Sequence, residues 1–262
     1  MRVVAFLVLT LLSASGLAQN ETLMPAIGAM RMGDYAQAID TLLPIAGKGD
    51  NEAQFLLALA LEFAPEARRD LPAAHGWYQK AAKAGHAGAQ NNLGTMYYDG
   101  RGVAKDPAEA MRWYRAAGEQ NHLQAQYNLA LMYGTGVGIP RNDGEMAMWL
   151  RRAADGGLAA AQAQLGRAYL DGEGVRQSPI EAVQWFRRAA ERGHPWGQYY
   201  LGAALQKGIG VRRDLAGAHE LFLKAAEAGH KPAMRELARI LELGLGVPAD
   251  EEKAKAWAEQ SK

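Results

Sequence analysis

The 262-residue chain contains no cysteine. This excludes disulfides, thiolate metal sites, a cysteine nucleophile and a lipid anchor on a cut-site cysteine. Serine is nearly as scarce. Past residue 18 only Ser178 and Ser261 remain, one placed to cap a helix and the other beside the end, so a Ser/His/Asp site has no raw material. An excess of charge is missing too: 29 Lys and Arg face 28 Asp and Glu. That balance argues against nucleic acid or an anionic membrane as a general partner. The one long apolar run, Val3 to Leu12, follows Arg2 and leads into Ser13-Ala14-Ser15-Gly16-Leu17-Ala18. This is the pattern of a secretory signal over residues 1–18, cut ahead of Gln19. The run is too short to cross a bilayer, which takes ~20 residues, and nothing later is apolar enough. Loss of the signal removes Arg2 and no acid, leaving the charges equal. The expectation is an exported protein, periplasmic or secreted, held together by packing alone.

What the chain has instead is a rhythm. Trp77, Trp113, Trp149, Trp185 and Trp257 share one register, with Leu221 on the missing beat. Ala53, Ala89, Ala125, Ala161, Gly197 and Ala233 keep the same step, as do Leu57, Leu93, Leu129, Leu165, Leu201 and Leu237. A fixed period in this range marks stacked supersecondary units. The fold expected is all-α, a solenoid of 36-residue helix-turn-helix repeats.

One unit shows the logic. Ala89, Leu93, Met96 and Tyr97 stand at helical spacing and form the inward stripe of a first helix, in which Gly94 lets a neighbour approach. Asp99-Gly100-Arg101-Gly102-Val103 ends it, glycine taking the left-handed conformation. The loops at Gly134-Thr135-Gly136-Val137-Gly138, Asp171-Gly172-Glu173-Gly174-Val175, Lys207-Gly208-Ile209-Gly210-Val211 and Leu243-Gly244-Leu245-Gly246-Val247 are equivalent. A phosphate loop needs a preceding strand, and here a helix precedes each. Asp106-Pro107-Ala108-Glu109 reads as a capping box opening the second helix, and Ser178-Pro179-Ile180-Glu181 repeats it. Ala110, Trp113 and Ala117 form the expected inward stripe, the indole filling space that alanines leave. His86, His122, His194 and His230 hold one repeat phase at the turn into the next unit, a structural position. Their spacing puts them on successive layers, not around one metal.

These residues resemble the Sel1-like (Sel-one-like) repeat family of tetratricopeptide-type α/α solenoids. The pattern A-x-x-x-L-G-x-x-Y-x-x-G-x-G-V, then D and W-Y-x-x-A-A-x-x-G, is met at Ala89, Leu93, Gly94, Tyr97, Gly100, Gly102, Val103, Asp106, Trp113, Tyr114 and Ala117. The resemblance implies a right-handed solenoid with six such repeats over residues 53–262, ending in a charged capping helix from Glu251. Residues 19–52 form N-terminal capping helices with a tetratricopeptide-like half-repeat at Gly33-Asp34-Tyr35-Ala36-Gln37-Ala38. In the first full unit the loop from Glu62 to Arg69 lacks glycine, so its connection must differ and Phe63 is expected to be exposed. The family implies a non-enzymatic scaffold without cofactor or metal, binding a protein or peptide in its concave groove. For exported bacterial members it implies envelope assembly, signalling or host contact; an envelope glycan, peptidoglycan or exopolysaccharide, is the alternative ligand.

By this resemblance the first helix of each unit lines the groove. The columns Asn91-Thr95-Tyr98, Tyr127-Leu131, Ala163-Arg167-Leu170, Tyr199-Ala203 and Arg235-Arg239 then face the partner. Asn92, Asn128, Gln164 and Tyr200 fall where relatives place amides that grip a peptide, although such amides also serve to bond the adjacent helix. Trp196 breaks the tryptophan register, one turn before Tyr199 and Tyr200. Exposed aromatics flanked by Arg167, Arg235 and Arg239 have the composition of an interface hot spot. The candidate partner-binding set is therefore Trp196, Tyr199, Tyr200, Arg167, Arg235, Arg239, Asn92, Asn128, Gln164 and Tyr127.

Overall fold

A computed structural model describes residues 21–262, so the expected signal at 1–18 lies outside the described residues. Fourteen helices and no strand are found among them. They fall into two compact units, up to Ala125 and from Gln126. The first unit holds α1 (Met24–Met32), α2 (Tyr35–Gly47), α3 (Asn51–Phe63), α4 (Leu71–Lys83), α5 (Ala87–Asp99) and α6 (Pro107–Glu119). The division falls within α7 (Leu123–Thr135). The second holds α8 (Asp143–Asp155), α9 (Ala159–Asp171), α10 (Pro179–Glu191), α11 (Pro195–Lys207), α12 (Leu215–Glu227), α13 (Lys231–Leu243) and α14 (Glu251–Gln260). Within each unit every helix packs on the next, and α9 also meets α11, the first helix of the following repeat.

The core does not follow the tryptophans. In the second helices the deepest large residues are Tyr78, Tyr114, Leu150, Phe186 and Phe222, each one place after the register position. Trp149 and Trp185 are buried, but Trp77, Trp113, Leu221 and Trp257 are only half-buried. The inward stripe is thus Ala110, Tyr114 and Ala117, not Ala110, Trp113 and Ala117. The reason lies on the facing helix: a Cβ on Gly94 would stand 2.8 Å from the Tyr114 ring, and one on Gly166 2.5 Å from Phe186. Glycine there makes room for one ring, and that ring is the neighbour of the indole. The indoles lie at the edge, where a cation one turn on covers them: Lys80 over Trp77, Arg152 over Trp149 and Arg188 over Trp185. Phe63 is half-buried against the first unit's core rather than exposed.

The capping boxes are only half made. Asp106 accepts from the amides of Ala108 and Glu109, and Ser178 from that of Glu181. The reciprocal bond is replaced, because the cap's own amide donates to a carbonyl of the first helix: Asp106 to Tyr97 at 2.9 Å and Ser178 to Tyr169 at 2.8 Å. Asp70, Asn142, Asp214 and Asp250 do the same to Leu61, Tyr133, Leu205 and Leu241. This bond closes each helix pair, and Glu109 turns to Arg112 instead.

The paired glycines divide two tasks. Gly208 has φ +70° and ends α11, and a Cβ there would meet nothing nearer than Arg213 at 3.4 Å. Gly210 has φ +69°, and a Cβ there would stand 2.2 Å from the Pro179 carbonyl oxygen at the start of α10. Gly102 against Leu71, Gly174 against Asp143 and Gly246 against Leu215 repeat this approach. The second glycine therefore seats each loop on the preceding repeat. Gly208→Ala should cost about 1–2 kcal/mol from the left-handed backbone alone, and Gly210→Ala about 1–3 kcal/mol more from the clash. Denaturant unfolding of both variants checks this, and equal losses would refute the division.

The repeated histidines are helix N-caps. The Nδ1 atoms of His86, His122 and His230 accept from the amides of Ala89, Ala125 and Ala233 at 3.0–3.2 Å. Burial, with the charge of His86 beside it, lowers the pKa of His122; burial, with His194 and then Arg235 nearby, lowers that of His230; burial lowers that of His194. The unfolded chain then binds more protons than the native one below the ordinary value of 6.5, so stability must fall as pH drops through that value towards the lowered native ones. Thermal unfolding between about pH 7.5 and 5.5 should show a decreasing Tm. His122→Asn with His230→Asn, which keeps an acceptor at the cap, should flatten the slope.

Candidate interaction face

Three of the residues singled out in the sequence converge in the second unit. Trp196 sits in the first turn of α11, 44% exposed, and stacks on Tyr200 at 5.4 Å between ring centroids. Tyr200 stacks in turn on Phe186 of the core at 5.0 Å. Tyr199 meets the Trp196 edge at 6.0 Å and rests against Phe222 at 5.8 Å. His230, the cap of α13, closes on Trp196 at 4.4 Å and on Tyr199 at 5.1 Å. The patch is a ladder of rings running from solvent to core, so its exposed end is held rigid. Tyr199 has its pKa raised by burial first and then by Glu236 and Tyr200, with Arg235 opposing; it is neutral at physiological pH and offers a hydroxyl donor. His230 was not among the candidates, although its phase in the repeat was legible.

The arginines differ. Arg235 is exposed on α13. Arg239 is held by Glu236, its Nε and Nη2 donating to Oε2 at 3.2 and 3.1 Å. Arg167 lies 3.6 Å from Asp171 and 3.8 Å from Glu173. These exposed pairs are weak enough to exchange partners.

The amides have internal work. Gln164 hydrogen-bonds the Tyr127 hydroxyl, whose pKa burial raises and this bond lowers. Asn128 is half-buried. Asn92 belongs to the first unit, where its Nδ2 donates to the Tyr78 hydroxyl at 3.1 Å and its Oδ1 accepts from Asn91. Asn91 and Ala163, expected to face a partner, are buried. A column not singled out explains the register better: Gln54, Gln90 and Gln162 each donate Nε2 to a carbonyl near the end of the preceding helix, at Ala46, Ala82 and Ala154, over 3.1–3.2 Å. Gln126 and Gln198 stand in the same column and are buried. Their 36-residue spacing was the available signal.

A repeated pair of helices whose recurring residues serve stacking, and which leaves an aromatic face on one first helix, defines a repeat protein of the α/α solenoid class. The chain belongs to the Sel1 repeat family. The repeat matches residues 51–86, 87–122, 123–158, 159–194, 197–230 and 231–262. The chain is similar to a Sel1 repeat protein from Oxalobacter formigenes, with 33% identity over 93% of this chain and 98% of that one and a TM-score of 0.83. It is also similar to c5321, a protective antigen of uropathogenic Escherichia coli with this fold, at 33% identity, TM-score 0.80, over 85% of this chain and 48% of that one. An immunity protein from Pseudomonas aeruginosa shares 25% identity over 80% of each chain at TM-score 0.54. A comparison with curated proteins found no match. Sel1 repeat proteins are in general scaffolds for protein–protein interaction and non-catalytic. Among the described residues no helix is long and apolar enough to cross a membrane.

Proposed function

We propose that this protein is an exported, non-enzymatic scaffold of the bacterial envelope that holds a partner protein or peptide against the first-helix face of α9, α11 and α13. The observation that carries this reading is the Trp196 ladder: a large indole kept 44% exposed by two tyrosines that anchor it to the core. Aromatics and arginine dominate interface energetics, and a pre-ordered anchor loses little entropy on binding. Export is supported by Arg2, the apolar run to Leu12 and the small residues to Ala18; N-terminal sequencing of protein from the envelope fraction should read from near Gln19. The test of binding is cross-linked capture from the native host. Trp196→Ala with Tyr199→Ala should abolish capture, each anchor being worth about 2 kcal/mol or more, while the fold survives. Arg167→Glu and Arg239→Glu should weaken it in a salt-dependent way when the partner is acidic. A folded double aromatic variant that captures the same partner removes the face from consideration. Elution by soluble peptidoglycan fragments would move the assignment to a glycan.

A further inference from the structure

Beside the aromatic ladder an apolar crevice of about 80 Å³ opens between α9, α10 and α11. Leu170, Val183 and Phe186 wall it on one side and Tyr200 and Ala204 on the other. It opens where this repeat carries alanine at two adjacent positions, Ala203 and Ala204. At the slot of Ala204 other repeats carry Met96, Met132 and Ile240 or, twice, alanine at Ala60 and Ala168, and at the slot of Ala203 they carry Leu59, Thr95, Leu131, Arg167 and Arg239, so alanine fills both slots in this repeat alone. Where those side chains fill their layers, α11 leaves a gap in the same packing. Tyr200 serves both features, stacking on Trp196 and lining the crevice.

Size and charge select what enters. An apolar cavity of about 150 Å³ takes a benzene ring, so one of about 80 Å³ takes the branched or linear end of an aliphatic side chain. Lys207 is the single charged residue of the lining, exposed in the last turn of α11. Arg213 adds a second cation beside it, its Nε held by the Gln206 carbonyl at 3.1 Å. Among the described residues neither forms an ion pair. Ile209 continues the apolar wall at the rim, 37% exposed.

We propose that the crevice is a docking pocket for a partner segment in which leucine or methionine is followed by aspartate or glutamate. The aliphatic end enters between Phe186 and Ala204, and the side-chain carboxylate meets Lys207. The inference rests on the scaffold reading above and adds the chemistry of the partner.

The test uses the full mature chain, methyl-labelled at alanine and valine, titrated by NMR with capped dipeptides to about 10 mM, a range suited to weak fragments. Acetyl-leucyl-glutamate amide should shift the Val183, Ala203 and Ala204 methyl signals. The seryl-glutamate and leucyl-glutamine analogues should bind more weakly, and Lys207→Glu should weaken the first probe about tenfold. Ala203→Leu with Ala204→Met installs the pair found at Leu131 and Met132, so it fills the gap with side chains the repeat already accommodates. It should abolish the Val183 shift without lowering Tm. Absence of shifts, equal shifts with the seryl probe, or shifts that survive in the filled variant overturn the pocket. Equal binding by N-acetylleucine as the free acid overturns the side-chain carboxylate in favour of a chain terminus. Partner capture separates the two readings: a filled variant that captures fully, when Trp196→Ala with Tyr199→Ala does not, sinks the pocket and leaves the scaffold face standing.

Discussion

Phe222→Ala should destabilise the second unit by about 3–5 kcal/mol, the usual loss for truncating a buried aromatic. Phe222 is fully buried, a Cβ on Gly202 of α11 would lie 3.2 Å from its ring, and Tyr199, one turn earlier on α11, rests against it at 5.8 Å. The ring joins α12 to α11 and shares a buried cluster with Leu237 and Ile240 of α13, and repeats couple through their neighbours, so the unfolding transition should also broaden into more than one step. Leu221→Ala is the control. Leu221 occupies the tryptophan register but is half-buried, and its loss should be clearly smaller. Trp149→Ala, removing a buried indole, should approach the larger figure, while Trp257→Ala in the terminal helix should not. Chemical denaturation of the four variants decides it: a Leu221 loss equal to that of Phe222 would return the core to the register column.

Arg101→Ala should cost about 3 kcal/mol, the lower end of what breaking a buried ion pair costs. Glu62 is 5% exposed. Its Oε1 accepts from Arg101 at 2.7 Å, its Oε2 from the Tyr78 hydroxyl at 2.6 Å, and Asn92 donates to that hydroxyl. Burial first and the Glu62 charge second push the Tyr78 pKa well above its ordinary value, so the phenol stays a donor. Arg101 reaches back from the glycine loop of one repeat to an acid in the repeat before, and without it the buried carboxylate loses its cation. Glu62→Gln retains an acceptor for Tyr78, so adding it to Arg101→Ala should recover most of the loss. An Arg101→Ala variant within about 0.5 kcal/mol of wild type would mean that the pair behaves as a surface one.

Much of this molecule was legible before any coordinates. A period of 36 residues is visible because each layer must present the same small and large residues to its neighbours, and the glycine loops are visible because left-handed backbone admits little else. The histidine phase was legible for a similar reason: the slot is a helix start, where the imidazole nitrogens of His86, His122 and His230 accept from a backbone amide, although His194 and Leu158 in the same slot make no such bond. The Glu62 clasp was not legible. The sequence showed only that its loop lacked glycines, and the partner, Arg101, stands 39 residues away in a slot that other repeats fill with unrelated residues. The Gln54 column is visible in the sequence, with the same regularity as the alanine beside it.

The interaction face divides in the same way. Trp196 stood out by breaking a register, which is a property of sequence alone. Its two anchors to the core, the contact with His230 and the gap beside Tyr200 depend on ring angles and on which small residues face each other. Asn92 and Gln164 shared a column with Tyr200, yet their bonds to Tyr78 and Tyr127 turn them inward. The sequence by itself determined the repeat, its helices, its turns and the family, because local backbone preference and layer-to-layer packing recur in every unit. Only the tertiary structure decided which of two adjacent aromatics is the core, which amides are already engaged and where one repeat leaves a crevice, because those depend on rotations of about 100° around a helix and on side chains brought together from different repeats.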